Sequence, residues 1–210
     1  KEQGKVVELL DTLDGTIRQT EAIIEKLKQV KQGLLHDLLT RGIDANGELR
    51  PPQSQAPHLY KGSSLGWIPR DWRLVALSEL STIRSGTTPA RSMASRYFTG
   101  GSIPWVKTLD LNEGSILSTD EQITDAAIRE CSCERLPVGT VLIAMYGGWE
   151  QIGRTAMLGV AAATSQAISA LDFGAAELEP EFVLRAIQHG RPRWSSVAAS
   201  TRKDPNITKA

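Results

Sequence analysis

The sequence predicts an α+β protein in which a long coiled-coil helix precedes a mixed α/β globular domain. Two observations support this fold class. An apolar heptad pattern without proline runs from Lys5 to about Arg41. After residue 67, strand-like runs alternate with helix-like runs, which is typical of a mixed domain. A chain of 210 residues is also long enough for one sizeable core with an appendage.

The N-terminal helix, assigned to residues 1–43, has an apolar seam whose members are spaced by four and three residues. The seam contains Val6, Leu10, Leu13, Ile17, Thr20, Ile24, Leu27, Lys31, Leu34 and Leu38. At ~1.5 Å per residue the helix would be roughly 55 Å long, so a small domain cannot cover the whole seam. We therefore expect an antiparallel helix partner or self-association through residues 5–41. Lys31 either extends its ammonium group to solvent or specifies register and partner.

Arg41-Gly42 is a C-terminal stop signal, and residues 44–66 are predicted to be a linker because they are rich in Pro, Gly and Ser and lack periodicity. The globular domain is assigned to residues 67–210. Its patterns predict a strand leading into a short helix at 72–83, a strand at 102–111, a helix at 118–131 capped by Ser118 or Thr119, strands at 139–146, 154–161 and 164–173, and a helix at 179–190.

Composition and motifs argue against several classes of protein. The sequence has no phosphate-binding G-x-x-x-x-G-K-[ST] loop, no G-x-G-x-x-G after a strand and no H-E-x-x-H. Its three histidines lie beside no candidate nucleophile, and Cys131 and Cys133 have no second Cys/His pair to complete a zinc site. No run is long and apolar enough for a membrane helix, and the start is charged. We expect no cofactor, no metal and no membrane association, with free thiols in a reducing cytoplasm.

The net charge is zero, but the charges are unevenly distributed. Residues 110–130 are strongly acidic, whereas residues 185–210 contain six Lys or Arg residues against Asp204 alone. The C-terminal part of the domain could therefore meet a polyanion that the acidic segment would repel.

The stretch AMYGGWEQIGRTAM, residues 144–157, interrupts a predicted hairpin with polar side chains. A hairpin turn needs only about two to five residues. Here Glu150, Gln151 and Arg154 add a carboxylate, an amide and a guanidinium, which pair with cytosine, adenine and guanine edges respectively. The alternatives are a hairpin whose Tyr146 and Trp149 cap the core, or a loop that binds protein or sugar.

A second polar loop is IRSGTTPARS, residues 83–92. It is either a turn followed by a proline-stiffened segment or a ligand loop whose Thr87, Thr88 and Arg91 contact phosphates or base edges. Trp105 is expected in the core, whereas Lys107 and Thr108 at the same strand end could project towards a ligand.

The order of several segments resembles the DNA-specificity subunit of Type I restriction-modification systems. The most specific are the helix end KLKQVKQGLLHDLLTRGID and the succession IPW, GTVLIAMYGG, IGRTAM and SQAISAL, supported by GWIPRDWRLVALSEL, SGTTP and DPNITK. The resemblance implies a non-catalytic subunit. Such subunits carry two target-recognition domains that read the halves of a split DNA site, spaced by two antiparallel helices. They dock methyltransferase subunits that bind S-adenosylmethionine, and an endonuclease subunit can join.

On this resemblance, the chain is expected to comprise one spacer helix and one target-recognition domain that binds double-stranded DNA. Gln151 and Arg154 are the expected base contacts, and Arg202 and Lys203 the expected phosphate contacts. The remaining expected DNA-binding residues are Thr87, Thr88, Arg91, Lys107, Thr108, Tyr146 and Trp149. A coiled-coil adaptor whose globular domain binds protein or carbohydrate is the alternative function. A self-contained methyltransferase is a third, although no Asn- or Asp-Pro-Pro-aromatic motif is present.

Overall fold

The computed structural model describes residues 1–174 and 178–196, and the chain divides into two compact units, residues 1–73 and 74–210. The first unit contains the long helix and a β-hairpin, and the second contains helices and mixed sheets. The predicted fold class, a long helix followed by a mixed α/β domain, is confirmed.

Helix α1 runs without interruption over Glu2–Thr40, and none of its 39 residues is buried. The predicted stop signal is confirmed, because Gly42 adopts a left-handed φ of +63° and its amide donates to the Leu38 carbonyl at 3.1 Å. A Cβ at Gly42 would lie 2.5 Å from the Trp72 ring. Glycine is therefore required here both by the backbone conformation and by the packing of Trp72.

The segment predicted to be a linker is more ordered than its composition indicates. Strands β1 (Tyr60–Ser63) and β2 (Gly66–Pro69) form an antiparallel hairpin. Arg41 and Arg50 each donate a side-chain hydrogen bond to the other's backbone carbonyl, at 2.7 and 3.0 Å. Strands of four residues are too short to show a clear alternation among Pro, Gly and Ser, so sequence periodicity missed them.

The second unit has a five-stranded sheet in the order β3-β10-β7-β8-β5 and a three-stranded sheet in the order β6-β4-β9. Among the described strands, the β5–β8 and β4–β9 pairs are parallel and the other pairs are antiparallel. The strands are β3 (Thr82–Ser85), β4 (Ile103–Val106), β5 (Ser115–Ile116), β6 (Gln122–Ile123), β7 (Val141–Ala144), β8 (Thr155–Leu158), β9 (Ala163–Thr164) and β10 (Ile168–Asp172). The helices are α2 (Leu77–Leu80), α3 (Ala94–Tyr97), α4 (Asp125–Glu130) and α5 (Pro180–Gly190).

Two predicted elements are wrong in detail. Residues 72–76 form no strand before α2, and the strand in this region is β3, which follows the helix. The predicted helix at 118–131 begins only at Asp125, and its cap is Thr124, whose hydroxyl accepts a hydrogen bond from the Ala127 amide. Ser118 and Thr119 do not cap it, because the intervening β6 pairs with β4 and the Thr119 hydroxyl donates to the Glu121 carbonyl.

Packing in the core fixes the positions of strands β7 and β8 and of helix α5. All four residues of β7 are buried, and the apolar face of α5, formed by Val183, Leu184 and Ile187, packs against Val141 and Ile143 of this strand. Strands β7 and β8 are adjacent and antiparallel, so residues 145–154 connect them as predicted for a hairpin. The backbone that leaves α5 is thereby brought close to this connection.

Candidate nucleic-acid interface

The first candidate element is the hairpin loop, defined as residues 145–154. Glycine provides its left-handed turns, with φ of +114° at Gly147, +81° at Gly148 and +70° at Gly153. The amides of Gln151 and Ile152 both donate to the Gly148 carbonyl, at 3.0 Å. Because Ile152 is only 3% exposed, the loop is attached to the core by an apolar residue as well as by hydrogen bonds.

Arg191, which follows α5, holds the hairpin loop from the other side. Its guanidinium donates to the Glu150 carbonyl at 2.7 Å and to the Ile152 carbonyl at 3.2 Å, and it forms an ion pair with Glu113 at 2.9 Å. Glu113 has a φ of 63°, which is uncommon for a residue with a side chain. Its amide donates to the Thr155 carbonyl and its carbonyl accepts from Gln188, so the surrounding contacts stabilise this conformation.

The side chains of the hairpin loop differ in their access to a ligand. Tyr146 is 44% exposed, Trp149 is 51% exposed, and Glu150 is exposed as well. Gln151 packs beneath Gly147, where a Cβ on the glycine would lie 2.8 Å from that of Gln151. Its amide Oε1 is enclosed and has no hydrogen-bond partner among the described residues. Arg154 is half-buried.

The second element is the Gly-Thr loop, defined as residues 86–91. A Cβ on Gly86 would lie 2.0 Å from the Thr164 carbonyl oxygen, so only glycine allows the approach. The Thr87 amide donates to this same carbonyl at 2.9 Å, and its own carbonyl accepts from the Trp105 indole at 3.2 Å. Thr87 is thus bound into the scaffold through its backbone, while Thr88 beside it is half-buried. Trp105 is buried, as the sequence predicts.

The buried Cys133 supports the Gly-Thr loop from below, with its Sγ 3.7 Å from the Thr87 carbonyl oxygen. Burial raises the pKa of its thiol to about 11. The neutral thiol therefore serves as a packing group and weak donor.

Arg91 and Lys107, two of the residues expected to contact DNA, converge on Glu121. The Glu121 carboxylate lies 2.6 Å from an Arg91 Nη1 and 2.7 Å from the Lys107 Nζ. Hydrogen bonds from Arg91 and then from Lys107 lower the pKa of the Glu121 carboxyl from 4.5 to about 2, and the bond to Glu121 raises the pKa of Lys107. The Arg91 guanidinium also stacks over the rings of Phe98 and Trp105, at 4.3 and 5.3 Å from their centroids.

The remaining expected contacts are less constrained. Thr108 begins a short 3-10 helix, Thr108–Asp110, next to Lys107 and is half-buried. Arg202 and Lys203 lie outside the described residues. Among the described residues, the structure thus brings Arg91, Lys107 and Glu121 into one cluster, and it places Tyr146, Trp149, Gln151 and Arg154 on a single loop.

Three residues that position these elements were not singled out from the sequence, namely Glu113, Glu121 and Arg191. Each acts through a partner that is distant along the chain, and Glu113 and Arg191 are separated by 78 positions. No local spacing signals such a pair. The only sequence sign was the polar content of residues 110–130 and 185–210, which was interpreted as a charge distribution rather than as contacts.

Within residues 1–174 and 178–196, no group of three His, Cys, Asp or Glu side chains is arranged to hold a metal ion. Among the same residues, no helix combines the length and the apolar character that crossing a membrane requires.

The fold defines a class of protein, a mixed α/β domain preceded by a long helix whose apolar face is exposed among the described residues. The particular family follows from comparison with known proteins. The model of the Type I restriction modification DNA specificity domain matches residues 69–202, which is more than half of the chain. The chain belongs to this family, and the resemblance found in the sequence is confirmed.

Two relatives come from Methanocaldococcus jannaschii. The MjaIX specificity subunit of a Type I restriction enzyme is 33% identical over 87 residues, which are 40% of this chain and 20% of the relative. The MjaVIII specificity subunit is 30% identical over 86 residues, which are 41% of this chain and 18% of the relative. The matched part therefore spans about a fifth of the length of these relatives.

A solved structure reported under the description "Structural basis underlying complex assembly and conformational transition of the type I R-M system" has the same fold. The likeness covers 91% of this chain and 43% of the other, with a TM-score of 0.50 and 20% identity.

Proposed function

We propose that the chain recognises one part of a split double-stranded DNA site as the specificity subunit of a Type I restriction-modification complex. The observation that carries the proposal is its membership of the DNA specificity domain family over residues 69–202. The domain we assign to target recognition, residues 67–210, contains this match and the compact unit that begins at Leu74. Residues 1–43 serve as the spacer helix, and residues 44–66 connect it to the domain.

The spacer helix needs a helical partner. Leu13, Ile17, Ile24, Leu27 and Leu34 of the seam are between 47% and 62% exposed. Burying each would contribute ~1.5 to 3 kcal/mol, which is a large apolar surface to leave in water. An antiparallel helix from a second recognition unit, or from a second copy of this chain, would cover it through residues 5–41.

The hairpin loop and the Gly-Thr loop supply the DNA contacts in this proposal. Tyr146, Trp149, Gln151 and Arg154 approach the bases from the hairpin loop. The Gln151 amide oxygen is enclosed, so this side chain must turn outwards to make its contact. The phosphate and base-edge contacts come from Thr87, Thr88, Arg91, Lys107 and Thr108, with Arg202 and Lys203 at phosphates.

The subunit directs chemistry that others perform. Methyltransferase subunits would supply the S-adenosylmethionine site, and an endonuclease subunit would join for cleavage, while this chain binds no cofactor. The complex would act in the cytoplasm, where the genomic DNA is. The acidic Glu121 beside Arg91 and Lys107 does not argue against DNA, because the duplex phosphates can take its place as the anionic partner of these two cations.

The test separates contacts that read sequence from contacts that only hold the duplex. The chain in complex with its methyltransferase subunits is titrated with a preferred duplex and with random duplex over a range of salt concentrations. Arg154→Ala is expected to weaken binding to the preferred duplex about 5- to 150-fold more than to random duplex. Arg202→Ala and Lys203→Ala are expected to weaken both about equally and to lower the salt slope by about one contact each. Equal affinity of the unaltered complex for all duplexes would contradict the proposal.

A further inference from the structure

The hairpin loop contains an exposed carboxylate, that of Glu150, which projects from a backbone held by hydrogen bonds. Glu150 is exposed, and its carboxylate makes no hydrogen bond or ion pair within the described residues. The neighbouring Gln151 has the opposite arrangement, since its amide oxygen is enclosed beneath Gly147. The carboxylate, rather than the amide, is therefore the group that the loop presents.

Arg191 fixes the backbone from which this carboxylate projects. One guanidinium nitrogen donates to the carbonyl of Glu150 itself at 2.7 Å, and another donates to the carbonyl of Ile152 at 3.2 Å. The ion pair with Glu113 holds the Arg191 guanidinium, and the buried Ile152 side chain holds the loop backbone against the core. A backbone held at successive points loses little conformational entropy on binding, and this is the condition for precise contacts to a ligand.

An unpaired carboxylate on a DNA-facing loop is unfavourable unless it finds a donor, because the phosphates repel it. The major-groove edges of cytosine and adenine both carry an amine donor, but adenine also presents its N7 acceptor next to the amine. A carboxylate oxygen is repelled by that acceptor, whereas on cytosine the N4 amine has only C–H as its neighbour on the same base. Cytosine is therefore the base that suits a single carboxylate.

We propose that Glu150 is a specificity-determining residue of this domain and that its carboxylate accepts a hydrogen bond from the N4 amine of a cytosine in the major groove. This assignment rests on the proposed function and adds to it the residue and the base. Arg191 acts as a positioning residue, since it contacts the loop backbone and leaves the Glu150 carboxylate available.

The experiment selects bound sequences from a random duplex library with the chain in complex with its methyltransferase subunits. Glu150→Ala is expected to lose the preference for one C·G pair while the other positions of the motif remain, with discrimination at that pair falling about 5- to 150-fold. Glu150→Gln is expected to relax the same position towards adenine, because a Gln amide can pair with both N6 and N7 of that base. Binding of both variants to random duplex should rise, since a negative charge is removed from the loop.

Glu79→Gln is the matched control. It removes an exposed carboxylate from α2 of the same domain, away from the hairpin loop. It is expected to leave the preference at that C·G pair intact. The Glu150 side chain is exposed and its carboxylate makes no hydrogen bond or ion pair within the described residues, so its variants should unfold at about the temperature of the unaltered chain. Thermal unfolding of each variant checks that it is folded.

Three results would overturn the assignment. The first is a motif that is identical in the unaltered chain, Glu150→Ala and Glu150→Gln. The second is a motif for the unaltered chain that contains no C·G pair. The third is a loss of the C·G preference in Glu79→Gln as large as that in Glu150→Ala. A library from which the unaltered complex enriches no motif is a different outcome, because it contradicts the proposed function itself.

Discussion

Glu121→Gln is the substitution whose effect can be worked out most fully from the structure. It removes the charge that Arg91 and Lys107 share, at 2.6 and 2.7 Å, while preserving the size of the side chain. The pKa of Glu121 falls from 4.5 to about 2 in the folded protein. At about 1.4 kcal/mol per pH unit, the difference of about 2.5 in the pKa corresponds to at most about 3.5 kcal/mol of stability at pH 7. The Glu121 side chain is 30% exposed and that of Arg91 54%. Solvent screening therefore reduces the expected loss to about 1 to 2 kcal/mol.

The loss of stability in Glu121→Gln is expected to be smaller at low pH. Because the folded-state pKa is lowered, the carboxylate contributes its full stabilisation above about pH 4.5 and loses it as the pH falls towards about 2. Denaturant unfolding at pH 7, 5 and 3 should show a gap between the unaltered chain and Glu121→Gln that is similar at pH 7 and 5 and smaller at pH 3. Glu181→Gln is the control, since its i,i+4 ion pair with Arg185 is expected to contribute only about 0.3 to 0.5 kcal/mol. The same gap at pH 3 and pH 7, or equal losses in both variants, would refute the reasoning.

The same substitution tests whether the cluster faces DNA. Without the carboxylate, Arg91 and Lys107 are free to neutralise phosphates, and each new contact steepens the dependence of log affinity on log salt by about 0.9. Glu121→Gln should then bind random duplex more tightly at low salt, with a slope steeper by up to about two contacts. Unchanged affinity and slope would show that the cluster lies away from the DNA.

Three further predictions concern the loop support, the spacer helix and the absence of chemistry. Arg191→Ala should lower the free energy of unfolding of the domain by about 2 kcal/mol, because the Glu113 carboxylate and two loop carbonyls lose their donor. Amide hydrogen exchange should become faster in residues 149–153. Unchanged exchange in these residues would contradict the positioning role of Arg191. Leu27→Glu should weaken helix association by at least about tenfold and Gln29→Glu much less, and equal sedimentation of both variants and the unaltered chain would exclude the seam as the contact. The purified chain with S-adenosylmethionine and DNA should transfer no methyl group, and any incorporation of label would reveal an active site.

The long helix and the longer strands were predictable from the sequence because they depend on patterns of residues that are close together along the chain. The heptad spacing from Val6 to Leu38 identified α1, and the stop at Gly42 followed from the left-handed conformation that glycine favours. The buried runs of β7, β8 and β10 were recognisable from their apolar content. Short elements were not predictable. The hairpin at 60–69 and the two-residue strand β6 exist because of pairing with distant residues, which leaves no periodic trace.

The sequence predicts which loops form the candidate site, but it does not predict how their side chains are arranged. The hairpin loop was identified because its length and polar content exceed what a turn requires. Which of its side chains point outwards depends on Gly147 covering Gln151 and on Arg191 holding the Glu150 carbonyl, and neither contact follows from spacing. Likewise, Arg91 and Lys107 were identified as cations, but their shared partner Glu121 was visible only in the structure.

The central proposal is that this chain determines which DNA sequence the methyltransferase subunits methylate. The most direct measurement is to map methylated bases across a genome in cells that produce the methyltransferase subunits with this chain, without it, and with Glu150→Gln in its place. We expect methylation at one split motif with the unaltered chain, none without it, and a motif altered at one position with the variant. Methylation at the same sites whether or not the chain is present would contradict it.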